Sequence, residues 1–123
     1  MRKQYYFRPS PQGLLAWDVD RLVTLTSTLP HKRIPLTQIR ELDEAWFGEG
    51  ESGTWRAMLE HIELIRAVDL AYPIILAANG AVMDGMHRVA RAALEGRADI
   101  DAVQFDEDPK PDYVGRSPEE LPY

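Results

Sequence analysis

Cysteine is absent from the 123-residue chain. That excludes disulfides, thiol nucleophiles, cysteine-ligated zinc and iron–sulfur clusters together. Long apolar runs are absent too: the longest, Ile74 to Ala78, is strand-sized, far below the roughly 20 residues that cross a bilayer, so no membrane is expected. With no signal peptide and no disulfides, a cytoplasmic location is the expectation. There are no internal repeats. Positive charge is in short supply, with 14 bases against 20 acids and a net charge of −6. From Asp106 to Tyr123 stand six acids and two bases, hence −4; the remaining 12 bases and 14 acids leave −2. A nearly neutral body has no field to draw in a polyanion, which argues against duplex nucleic acid as the main ligand. A small anion at one local site remains compatible with it.

What is present suits one domain: 45% hydrophobic and 28% charged residues, with length enough to bury roughly two thirds of the unfolded surface. Met1 to Gly13 mixes aromatics with Pro9 and Pro11 and reads as an extended, loosely docked arm. Asp18-Val19-Asp20 opens a short helix that Pro30 closes. Arg33 to Leu36 predicts a short strand, placed at a sheet edge by Pro35, and Thr37 is a cap for a brief helix through Leu42. Glu41 to Gly53 reads as an acidic, glycine-broken loop carrying Trp46 and Phe47, which can pack on the core, line a pocket or meet a second subunit. Between Thr54 and Val68, Trp55, Met58, Leu59, Ile62 and Ile65 have the spacing of a buried helical face. Ile74-Ile75-Leu76 predicts a buried strand, Asn79-Gly80 a hairpin turn, Ala81-Val82-Met83 its return, Gly85 to Glu95 a helix, and Ile100 to Phe105 a last strand. The expected fold is α/β of the α+β kind, with helices on a single small mixed sheet. The domain spans 1–105, followed by an acidic, proline-rich tail, 106–123, with little to build a core.

The chemistry concentrates in Asp84-Gly85-Met86-His87-Arg88. A strand running through glycine into a helix presents free amides at the positive end of the helix dipole, which is an anion site. Arg88 can add bidentate bonds to phosphate, and His87 can donate or relay a proton. Each residue also has a structural reading. Asp84 can be an N-cap, competing with an anion for the same amides, and Gly85 can be purely conformational. Arg88, Arg91 and Glu95 can form a solvated charged face, and His87 can be a half-buried structural histidine. On the preceding helix, His61 and Arg66 fall inside the apolar arc. His61 is expected to bond a carbonyl, with the alternative that it points toward the anion site; Arg66 is expected to snorkel or pair with Glu63 or Asp69. The acidic loop lacks the spacing of a calcium site, and no metal site is read from the sequence.

Strand, turn, strand, then Asp-Gly-X-His-Arg opening a helix resembles the ParB/sulfiredoxin superfamily, in particular its small stand-alone ParB-like members. The likeness is strongest over Thr54 to Phe105 and extends to Ile34-Pro35-Leu36-X-X-Ile39. Sulfiredoxins carry a cysteine where Met86 stands, so sulfinic-acid reduction is excluded. ParB partition proteins bind CTP through a related helix start and read DNA through a separate domain for which no residues remain. ParB-like free-serine kinases share the Asp-Gly-X-His-Arg segment and use an acidic base from the early strand–helix region. The resemblance implies a nucleotide- or phosphate-ligand-binding protein or a phosphotransferase, with ATP or CTP and Mg²⁺ as the ligands to expect. By the resemblance, Asp84, Gly85, His87 and Arg88 would form the nucleotide-phosphate site and Glu41 would supply the acid, with Asp43 and Glu44 not separable from it. On the reading of the residues themselves, Met86 and His61 join Gly85, His87 and Arg88 in holding the ligand, and Asp84 and His87 join Glu41 in handling a proton or Mg²⁺. The alternative is a non-catalytic interaction module that keeps the fold and offers the Trp46-Phe47 loop and the acidic tail to a protein partner or to a second copy.

Overall fold

The computed structural model describes residues 3–47 and 53–123. Met1, Gly48, Gly50 and Glu51, part of the expected arm and acidic loop, lie outside the described residues. The scaffold is a four-stranded mixed sheet of β3 (Lys32–Pro35), β4 (Ile74–Leu76), β5 (Val82–Asp84) and β6 (Asp99–Gln104), in the order β3-β6-β4-β5. β4 runs parallel to β6 and antiparallel to β5. Successive side chains alternate faces, so Ile74 and Leu76 enter one apolar cluster and Ile75 the other. Both faces are covered, which is why β4 is apolar throughout. Pro35 sits on an edge strand, as expected, where the sheet asks no outward donor of it.

One face is covered by α3 (Met86–Leu94), which buries Val89 and Ala92 completely. Gly96 ends it with φ +73° as the amides of Gly96 and Arg97 bond back to Ala93 and Ala92, a left-handed C-terminal cap. The other face is covered by α1 (Val19–Thr26) and by a second sheet. Asp18 caps α1 by accepting from the Asp20 amide at 2.9 Å, and Leu22 is fully buried beneath it.

The second sheet corrects the expectation of a single one. The arm is not loosely docked: β1 (Tyr5–Ser10) and β2 (Gly13–Asp18) form an antiparallel hairpin, with Pro9 tolerated because β1 is an edge. The stretch 106–123 does supply core. Its β7 (Tyr113–Val114) pairs with β2, Leu121 is buried, and the Trp17 indole donates to Pro109 O at 2.8 Å. Its acids are engaged as well: Asp108 accepts from the Ala78 amide and pairs with Arg8, while Asp112 accepts from the Asp18 amide and pairs with Arg21.

Two further expectations change. Leu36–Gln38 and Arg40–Asp43 are short 3-10 turns, and Thr37 caps neither. The helix α2 (Trp55–Ala67) forms with Thr54 as its cap, yet none of its residues is buried. It leans on α3, where His61 and Ile65 meet His87 and Arg91, and Ala57, Met58, His61 and Ile65 are each half-covered. Trp55, Leu59 and Ile62 stay 80%, 59% and 37% exposed. Periodicity reports an apolar stripe; it does not report whether a second layer is there to cover all of it.

Candidate functional site

β5 passes through Gly85 into α3, and Gly85 holds φ +107°, ψ 21°. Among the described residues, no side chain caps the helix. Asp84 does not act as the N-cap: its carboxylate turns away and accepts from Arg88 Nη2 at 3.1 Å. The first-turn amides, which by geometry have no intrahelical acceptor, therefore keep their positive potential. Gly85, Met86 and His87 line a cleft of about 420 Å³. Aromatic rings also line it, Tyr5 and Phe7 of β1 and Tyr123. Tyr5 meets Tyr123 edge-on at 5.3 Å between ring centroids. These aromatics come from the arm and the tail; their only sequence signal is the density of rings in Tyr5-Tyr6-Phe7.

A second cleft, of about 330 Å³, shares Met86 and His87 with the first and is lined also by Glu41, Glu44, Trp46, His61 and Ile65. His61 Nδ1 lies 2.9 Å from His87 Nε2, so His61 bonds a histidine and not the expected carbonyl. Trp46 stands edge-on to His61 at 5.0 Å and lines this cleft. Glu41 is distinguished from its acidic neighbours. Its Oε2 accepts from the Val82 amide at 2.6 Å on the outer edge of β5, and its Oε1 is buried without a partner. Asp43 and Glu44 are exposed. This buried carboxylate oxygen is an acceptor without a donor, on a residue lining a cleft that two imidazoles also line.

Burial lowers the His87 pKa below its ordinary value, helped by His61 and Arg88 and opposed by Asp84. His87 is therefore neutral at neutral pH, and its Nε2 is joined to His61 by their ring–ring hydrogen bond. The unfolded chain takes up a proton at His87 before the folded chain does. Stability is then full above the ordinary histidine pKa of 6.5 and falls as pH drops through and below it. Urea midpoints measured from pH 8 to pH 5 are expected to show this loss, and His87→Gln is expected to flatten it; an unchanged slope in that variant would assign the loss to other groups.

Arg88 is the candidate that the structure does not bring to the amides. Its Nη2 donates to Pro73 O at 3.2 Å as well as to Asp84. The side chain lines a third cleft, with Ser27, His31 and Tyr72. Gly85 has a steric role in this: a Cβ there would stand 2.9 Å from Arg88 Nη2 and 2.7 Å from Ile74 Cγ2. Nor do Arg88, Arg91 and Glu95 make a common solvated network. Arg91 pairs with Glu95 at 2.7 Å, and Arg88 pairs backward with Asp84. Arg66 is exposed.

Among the described residues, no group of three or more His, Asp or Glu side chains is placed to hold a metal ion, and no helix is long and apolar enough to cross a membrane. Compared with family models, curated proteins and solved structures, the chain matches none of them.

Proposed function

We propose that the chain binds a small phosphate-bearing ligand, a nucleotide such as ATP or CTP with its Mg²⁺, with phosphate at the α3 N-terminus, and that it transfers a phosphoryl group to a hydroxyl in the adjoining cleft. The observation that carries this reading is the uncapped start of α3 at Gly85, opening onto a cleft of about 420 Å³, a size within the ordinary range for small-molecule sites. Free amides and the helix dipole suit a phosphate, and the rings of Tyr5, Phe7 and Tyr123 suit a flat base. Mg²⁺ is held in such sites mainly by phosphate oxygens and water. In phosphoryl transfer the protein's part is positioning and charge stabilisation. Here the amides of Met86 and His87 hold the phosphate, and His87, between the clefts, donates to it while bonded to His61. The free Oε1 of Glu41 takes the proton of the attacking hydroxyl as its oxygen bonds to the terminal phosphorus and the bond from that phosphorus to the departing nucleoside diphosphate breaks.

The resemblance to ParB-like proteins supports the same reading through Asp84, Gly85, His87 and Arg88, with Arg88 assigned to bracing the turn. The acidic tail is not offered to a partner in this reading, because Asp108 and Asp112 are engaged within the fold.

Thermal unfolding with millimolar ATP, CTP or inorganic phosphate, each with Mg²⁺, tests it. A ligand at ten times its Kd adds about 1.4 kcal/mol, which raises Tm by about 5 °C in a domain of this size. His87→Ala is expected to remove most of that rise. Glu41→Gln keeps an acceptor for the Val82 amide, so it is expected to bind normally while transfer to a hydroxyl falls by roughly 100-fold or more. No rise with any of the three ligands overturns the proposed site. Binding with undiminished transfer in Glu41→Gln overturns the role of the carboxylate alone.

A further inference from the structure

A side of α2 flanking its contact with α3 is apolar and exposed at Trp55, Leu59 and Ile62, and its pattern is self-complementary. Trp55, Leu59, Ile62 and Arg66 recur at spacings of four, three and four residues, the seam of a short two-helix coiled coil. At about 100° per residue they fall within roughly 60° of one another. His61 and Ile65, which line the second cleft, and the half-buried Met58 lie to one side of this seam. We propose that α2 is a dimerisation helix whose occupant is the α2 of a second copy, packed antiparallel about a two-fold axis between residues 60 and 61.

Three features select this partner and this direction. With the axis there, Leu59 faces the second copy's Ile62, so the two central layers are apolar. Trp55 then faces the second copy's Arg66, a guanidinium–indole pairing made twice. Beside the seam, the exposed Arg56 faces the second copy's exposed Glu63, an opposite-charge pair also made twice. A parallel pairing would set Arg66 against Arg66 and lose both kinds of contact. An isologous surface of this sort closes at two copies. A 13-residue helix is about 20 Å long, so the seam covers less than the ~800 Å² per copy of a standard interface. The expected dissociation constant is accordingly on the order of tens of micromolar. Because His61 lies off the seam, pairing leaves the cleft of Glu41, His61 and His87 open.

Sedimentation equilibrium of the full chain from about 1 μM to 1 mM reads this out, with circular dichroism confirming that each variant is folded; all the substituted side chains are exposed in the single copy. The chain is expected to pass from monomer to dimer across that range. Leu59→Lys is expected to weaken association at least ~100-fold, and Glu63→Arg by about 10-fold or more through two arginine–arginine contacts. Combining Glu63→Arg with Arg56→Glu restores opposite charges and is expected to return the constant to within about threefold of the parent. A monomer throughout the range overturns the proposal. So does a dimer indifferent to Leu59→Lys, or one that Glu63→Arg weakens and the double exchange fails to restore.

Discussion

Replacing Gly85 by alanine is expected to cost about 3 kcal/mol and to lower Tm by roughly 12 °C. Two penalties combine there. The backbone holds φ +107°, a conformation that costs an L-residue about 1–2 kcal/mol. The new Cβ would also stand 2.7 Å from Ile74 Cγ2 and 3.1 Å from Ile74 Cβ. Ile74 is fully buried in β4 and has nowhere to move, so the turn must shift and take Arg88 with it. Gly80 supplies the control. Its φ is +90°, but nothing lies within 4 Å of its Cβ position, so Gly80→Ala is expected to cost only the conformational share, about 4 °C. Paired thermal melts of the two variants separate the terms. Equal losses would mean that the contact with Ile74 does not hold the turn.

Trp17→Ala is expected to be the most damaging substitution, at about 4 kcal/mol and roughly 16 °C of Tm. The ring is 2% exposed, lies 5.6 Å from the Tyr6 ring and carries the Arg8 guanidinium 5.0 Å above it. Its indole N–H also holds Pro109 in place, so the loss extends beyond packing: the stretch 106–123 loses a tether. Trp17→Phe keeps most of the apolar contact and removes the donor. It is expected to cost about 1–2 kcal/mol while making that stretch measurably easier to cleave in limited proteolysis. Proteolysis of Trp17→Phe at the parent's rate would show that Asp112 and β7 suffice without the indole.

What could be read from the residues was local. Ile74-Ile75-Leu76, Asn79-Gly80 and the glycines at 85 and 96 mark their strand, turn and helix ends because backbone geometry at those points depends on the residue itself. What could not be read depends on distant partners. β7 is two residues long and exists only because β2 is beside it; proline-rich composition hides such a strand. The exposure of Trp55 and Leu59 follows from how little of α2 the described residues cover beyond its contact with α3, which no window of sequence contains. At the site, the start of α3 was legible and its surroundings were not. Glu41 reaches the Val82 amide across 41 positions and His61 reaches His87 across 26, while Arg88, adjacent in sequence to His87, lines a different cleft. Spacing along one helix gave the rotation of Arg88 but not the Pro73 carbonyl that captures it.

The bond from Glu41 to Val82 has a consequence for how the molecule keeps to itself. β5 ends its sheet, and a bare sheet edge invites strands from other molecules to add on. The carboxylate occupies the outward donor of Val82 as a single-residue stand-in for a missing neighbour. An incoming strand therefore finds the Val82 donor already taken and meets a carboxylate where it would have to dock.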